Sequence, residues 1–332
     1  MSRCKLVLLI LAGWVPAASA AGLSFDAPTS LQLEYLVEIK PTAVKGEIMK
    51  LWVPYPLENS FQKVVHFSAN SPWPYQVTSE SKFGNKMLYF SGKVPETPLT
   101  LRFKYHVIRQ PYRGLKKEEI GKFDQPSLYL SEDKLIPFCP EIVKLSRQEG
   151  KGGETPYEKI KAFYRYIVRT MKYDKSGEGW GRGDAVWACS TKRGNCTDFH
   201  SLFIAMSRVQ KIAARFEIGF PIPSDQEKGE IAGYHCWAEA YDPVQGWIPV
   251  DATEAKKSGK VDEYFGALPS NRISFSRGRD IVLNPPQKGE SLNYFVYPYA
   301  EVGGKPYPNV DKKLFFKVLK LSAKPESLKN ID

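Results

Sequence analysis

From residue 31 the chain alternates, with Leu31, Leu33, Tyr35, Val37 and Ile39 apolar and Gln32, Glu34 and Glu38 polar between them. A two-residue period of this kind predicts a strand buried on one face. Short apolar runs at 48–53, 87–90 and 99–108 repeat the signal, and Pro54-Tyr55-Pro56 halts the first of them. Gly46, Asn59, Ser60, Gly84, Asn85 and Gly92 punctuate the runs at intervals typical of a sandwich. Residues 21–112 are therefore expected to form an N-terminal antiparallel, β-sandwich-like domain.

The pattern then changes twice. Residues 113–153 are polar and end in Gly150-Lys151-Gly152-Gly153, which reads as a connecting segment holding a short helix at 140–148. A stronger helix begins at Thr155, which can cap, with Pro156 at the first helical position and Glu158 completing a capping box. Ile160, Phe163, Tyr164 and Ile167 follow at i, i+3, i+4 and i+7, so the helix should run to about Met171. A Gly-rich loop at 177–183 precedes a second helix after Asn195, with Phe199, Leu202, Phe203 and Met206 on its buried face. Strand patterns come next, at 215–220, 234–241 and 247–251. Helices followed by strands make 154–256 an α+β unit. Residues 257–332 read as a C-terminal β-rich extension, and no internal repeat appears.

Composition adds compartment and charge. The chain has 332 residues, 42% hydrophobic and 13% aromatic, enough for two domains with their own cores. Arg3 and Lys5, an apolar run at 6–15 and Ala18-Ser19-Ala20 read as a secretory signal peptide over residues 1–20. The run is short for a membrane span, and no Cys follows it to carry a lipid; an uncleaved anchor is the competing reading. The expected location is the periplasm or the cell exterior. Net charge is +11, or +9 once Arg3 and Lys5 are gone. In the cytoplasm that would suggest nucleic acid. Export and the lack of a base-reading motif exclude it, leaving an anionic cell-wall or membrane surface as partner, or plain solubility. Cys139, Cys189, Cys196 and Cys236 remain after the leader. If one is a nucleophile the other three allow a single disulfide, whose pairing is left open.

The candidate chemistry lies in three short segments. In Gly194-Asn195-Cys196-Thr197-Asp198-Phe199-His200, Asn195 can cap a helix and Asp198 can complete the box. Cys196 then sits in the first turn, where free N–H groups and the helix dipole favour a thiolate. The competing reading is a buried structural Cys. Tyr234-His235-Cys236-Trp237 supplies a base in a chain with only four His, and Trp247-Ile248-Pro249-Val250-Asp251 supplies a carboxylate. If Tyr241 pairs with Trp247 across the intervening turn, Trp237 pairs with Asp251 and His235 becomes Asp251's diagonal neighbour. A slip of one residue would send Asp251 to the other face. The expected roles are Cys196 as nucleophile toward an amide carbonyl, His235 as proton carrier and Asp251 as its orienting group. The Cys196 N–H would hold the oxyanion, with the indole of Trp180 or Trp187 as a second donor candidate. A zinc site from Cys196, His200, His235 and Cys236 fails, because strand neighbours His235 and Cys236 face opposite ways and two ligands are too few. Neither metal nor cofactor is expected.

These three segments, in this order, resemble the core of bacterial transglutaminase-like proteins. The match is dense over 155–255, and Leu51-Trp52-Val53-Pro54 is similar to the β region that precedes the core in many members. The resemblance implies a papain-like α+β fold with Cys on a helix and His and Asp on adjacent strands. It assigns Cys196, His235 and Asp251 the triad roles. At 210–215 the sequence Gln-Lys-Ile-Ala-Ala-Arg departs from the family's usual Gly-Ile-Pro-Ala-Arg. No acidic cluster resembles the calcium sites of animal cross-linking enzymes, which disfavours cross-linking. The expectation is an exported thiol enzyme acting on peptide or glutamine-type amides, hydrolysis slightly favoured. The alternatives are a catalytically idle protein binding peptide or cell-wall polymer in the same cleft, and an amine-accepting cross-linker.

Overall fold

A computed structural model describes residues 26–42 and 46–319; the expected leader, residues 1–20, lies outside them. Six strands come first: β1 Thr29–Ile39, β2 Ile48–Pro54, β3 Gln62–Asn70, β4 Tyr75–Ser79, β5 Lys86–Lys93 and β6 Leu99–Arg109. Three short 3-10 turns lead to α1 (Pro140–Gly150) and α2 (Pro156–Thr170). The middle of the chain holds β7 (Lys172–Tyr173), α3 (Ala185–Thr191), β8 (Arg193–Gly194) and α4 (Cys196–Val209). It is followed by β9 (Ala214–Pro221), β10 (Lys228–Glu230), β11 (His235–Asp242), β12 (Gly246–Val250), α5 (Ala252–Ser258) and β13 (Arg272–Arg277). The last strands are β14 (Tyr299–Val302), β15 (Lys305–Pro306) and β16 (Val310–Leu319).

The class is α+β with mainly antiparallel sheets, as the pattern predicts. Two five-stranded sheets, β10-β16-β1-β6-β3 and β15-β14-β2-β5-β4, form a sandwich. Leu31, Leu33, Tyr35, Val37 and Ile39 project into its core with Leu51, Val53, Leu88 and Phe90 of the other sheet. The last strands do not stand apart. β16 runs antiparallel to β1 from Ser30 opposite Leu319 to Ile39 opposite Val310, and β14 pairs with β2. The stretch after residue 257 thus completes the N-terminal sandwich, a long-range pairing that periodicity cannot show.

The core is a four-stranded sheet, β12-β11-β9-β13, with α4 laid against β11 and β9 and backed by α1, α2 and α3. The sequence offers an amphipathic α4, yet every residue from Cys196 to Arg208 is buried. A helix covered by a sheet on one side and helices on the other has no water face. Two buried amides fasten the sandwich to this sheet. Gln62 Nε2 donates to the Leu57 and Ser274 carbonyls at 2.6 and 2.8 Å, and its Oε1 accepts the Ser274 N–H at 2.9 Å. Asn85 Nδ2 donates to the Arg277 carbonyl and Oδ1 accepts the Arg277 N–H, both at 2.8 Å. They satisfy backbone groups of β13, an edge strand whose unpaired N–H and C=O would otherwise be buried. Leucine at either position strands those groups, so Gln62→Leu and Asn85→Leu are each expected to cost ~2–3 kcal/mol in denaturant unfolding; a change below ~0.5 kcal/mol would show the amides are not the fastening.

Candidate active site

The loop before α4 is built around Asp198. Asn195 caps the helix, its Oδ1 accepting the Thr197 N–H at 2.9 Å, while Asp198 Oδ2 accepts the Asn195 N–H at 2.9 Å. The same carboxylate also takes the Gly181 N–H at 2.7 Å and the Gly183 N–H at 3.0 Å, so it pins the Gly-rich loop to the helix start. Gly194 is required here. Its φ is +137°, and a Cβ would lie 2.3 Å from Asp198 Oδ2. Arg279 closes the arrangement from behind, donating to Ser201 Oγ at 2.7 Å and to the Gly183 carbonyl at 3.1 Å.

Cys196 is the first residue of α4 and is buried. The cap takes the Thr197 and Asp198 N–H groups, and the Phe199 N–H donates to the Asn195 carbonyl. The N–H of Cys196 is the first-turn donor left over. Its thiol pKa is held well below the ordinary thiol range, first by the Cys236 S–H and then, against burial, by His235. Neighbours on a strand face opposite ways, but Cys196 sits at the sheet's end and is influenced by both. Burial, followed by Cys196, pushes the Cys236 thiol up, so Cys236 is the S–H donor of the pair.

The expected hairpin register is present: Tyr241 lies opposite Trp247 and Ala238 opposite Val250. It sets His235 Nε2 2.6 Å from Asp251 Oδ2. Burial disfavours a charged ring, yet Asp251 and the hydrogen bond to Cys196 outweigh it and push the His235 pKa up to about 9. Nε2 is committed to the carboxylate, so Nδ1 is the nitrogen left for the thiol. Asp251 works with both oxygens. Oδ1 caps α5, accepting the Glu254 N–H at 3.0 Å and the Thr253 hydroxyl at 3.1 Å. Oδ2 takes His235 and also Arg272 Nε and Nη2 at 3.3 and 3.2 Å. Burial opposes ionisation of Asp251, but His235 and Arg272 overcome it and hold the pKa far below the carboxylate range.

Sequence reading missed Arg272, 21 residues from Asp251 on the far edge strand; His200, one turn from Cys196, was expected to pack or hydrogen-bond beneath the site, and it does the latter. His200 Nε2 accepts the Ala252 N–H at 3.1 Å, which leaves the proton on Nδ1 to donate to the Cys196 carbonyl at 2.8 Å. The ring thus ties the turn that holds Cys196 to the residue after Asp251. With both nitrogens given to backbone it has no lone pair for a metal. His235, Asp251 and Glu254 offer ligand atoms within 4.8 Å of one another. Arg272, whose Nη2 also meets Glu254 at 3.2 Å, already supplies the positive charge between the carboxylates.

The two Trp candidates stand differently. The Trp180 N–H donates to the Gly177 carbonyl at 3.0 Å, and Trp187 packs beneath Arg193, with the guanidinium 5.5 Å from its ring. Tyrosines flank the thiol instead. The Tyr234 hydroxyl accepts from Asn195 Nδ2 at 3.2 Å and its ring packs on Tyr294 at 5.6 Å. Burial and then the charge of Cys196 push the pKa of Tyr173 up to about 12.

Residues 144–252 match the family model of the transglutaminase-like superfamily, so the core of this chain is transglutaminase-like. An uncharacterized protein of Haemophilus influenzae is 29% identical over 321 residues, covering 83% of this chain and 86% of its own. The crystal structure of a candidate cysteine protease from Cytophaga hutchinsonii shares the fold with a TM-score of 0.59 at 16% identity, over 90% of this chain and 93% of that one. The periplasmic domain of TgpA from Pseudomonas aeruginosa, bound to ethylmercury, reaches a TM-score of only 0.36 at 14% identity, over 71% of this chain and 93% of that one. Among the described residues no helix is long and apolar enough to cross a membrane.

Because Gly194 has no room for a Cβ, Gly194→Ala is expected to displace Asp198 and cost ~2 kcal/mol or more in stability. A thermal melt within a degree or so of wild type would show that the Asp198 anchor tolerates the change.

Proposed function

We propose that the protein is an exported thiol enzyme that opens amide bonds of peptide or glutamine-type substrates through a Cys196 thioester. The observation that carries this reading is the His235–Asp251 hydrogen bond of 2.6 Å beside a first-turn Cys. The Cys196 thiolate attacks the carbonyl carbon, and the oxyanion is received by the Cys196 N–H. Protonated His235 gives its Nδ1 proton to the leaving amine, the C–N bond breaks, and the thioester remains. Water then attacks with His235 as base, releasing the acid and restoring the thiolate. Asp251 keeps Nε2 protonated and the ring aimed throughout. Water is favoured over an amine as acceptor because the sequence lacks the calcium-type acidic cluster of the animal cross-linkers. The leader-like residues 1–20 support export, and the charge of +9 that remains without Arg3 and Lys5 supports an anionic surface as neighbour.

Two measurements test this reading. Cys196→Ala is expected to abolish amide turnover, and Asp251→Asn to lower kcat by ~10²–10⁴-fold by releasing the imidazole tautomer. Turnover retained in Cys196→Ala would refute the nucleophile, and rapid alkylation of Cys196 without turnover on any peptide library would favour the binding-protein alternative. The pH profile has a definite sign. Cys196 is already a thiolate well below its ordinary range, so iodoacetamide labelling should stay flat across neutral pH. Amide turnover should fall as pH rises through about 9, where His235 loses the proton that the leaving amine needs. Labelling that climbs as for a free thiol would contradict the ion pair.

A further inference from the structure

A second concavity, of about 310 Å³, lies on the face of the core sheet away from α4, where the sandwich, the connecting segment and β9 meet. Arg109 from β6, Arg215 and Glu217 from β9, Arg277 from β13 and Asp124 line it, together with Phe61, Phe83, Tyr112 and Phe123. Ser60, Glu119 and Gly121, all exposed, mark its mouth.

Most of these charges are matched. Arg215 pairs with Glu239 at 3.1 Å and with Asp124 at 2.7 Å, and Arg277 also meets Asp124. Lys86 meets Glu58 at 2.5 Å, and Glu217 accepts the Ser274 hydroxyl. Arg109 is the exception. It is 1% exposed, its Nε has no hydrogen-bond partner, and among the described residues no carboxylate pairs with it. The Tyr112 ring lies 5.7 Å from its guanidinium carbon. The Nε of Arg277 is unpartnered too. A buried guanidinium N–H without an acceptor is costly, and at Arg109 Nε the protein itself supplies none. Burial lowers the Arg109 pKa, and Glu217, Tyr112 and Glu239 act against it without cancelling it.

We propose that this cavity binds a small organic carboxylate with an apolar body. The carboxylate would meet the planar donor face of Arg109, and the body would lie against Phe61, Phe83 and Phe123. The volume is at the lower end for small-molecule sites, which fits one ring or a short chain. An inorganic anion would satisfy the guanidinium and leave the aromatic lining wet. Because Glu217 lies opposite Trp237 on β11, two residues from His235, the occupant would rest against the strand that carries His235, on the face Trp237 presents.

The test is calorimetric titration of the full chain with benzoate, benzamide and inorganic phosphate. Benzoate is expected to bind saturably, with benzamide and phosphate at least about tenfold weaker. Arg109→Met should weaken benzoate about tenfold or more. Arg109→Lys keeps the charge and covers the case in which the Met variant fails to fold; its benzoate affinity should fall short of wild type. No saturable benzoate binding, or affinity unchanged in the substituted chain, would overturn the site. Phosphate binding as tightly as benzoate would overturn its assignment to an organic acid.

Discussion

The site depends on one buried carboxylate. Asp251 ends β12 and caps α5, so its backbone is fixed by a strand on one side and a helix on the other. Oδ1 is spent on the cap, and Oδ2 holds His235 and Arg272. Removing two charges from water costs several kcal/mol per ion, and that cost is met only where geometry and further hydrogen bonds are complete. Here they are. Arg272 keeps Asp251 ionised, ionised Asp251 favours a protonated His235, and the protonated ring favours the Cys196 thiolate.

The same economy joins the two halves of the site. His200 spans from the Cys196 carbonyl to the Ala252 N–H, so a shift of α5 would be felt at Cys196. Asp198 does the corresponding work on the other side, pinning the Gly-rich loop to the helix that carries Cys196. The helix is buried all round because three helices and a sheet hold it. Tyr173 and Tyr234 flank the thiol, giving the reacting centre the low-dielectric surroundings in which fixed donors count most.

Much of this was legible in the chain itself. Period-2 patterning announced β1, the Thr155 box announced α2, and Asn195 with Asp198 announced the start of α4. The turn at 242–246 set the register that brought His235 to Asp251. What stayed hidden has a common physical cause, since contacts between residues far apart leave no local pattern. Arg272 reaches Asp251 from another strand, and β16 joins β1 across nearly the whole chain. Asp251-Ala252-Thr253-Glu254 did carry a cap signal for α5 that could have been read, because Asp followed three positions later by Glu favours a helix start. The burial of α4 on every side could not, since its sequence still shows an amphipathic stripe.

The central claim is that Cys196 and His235 rest as an ion pair held by Asp251. The most direct measurement is a titration of the His235 imidazole by ¹⁵N NMR in the intact protein. The ring should be doubly protonated at neutral pH and lose its proton at about 9. A His235 ring that is neutral at pH 7 and titrates near 6.5, the ordinary value, would contradict it.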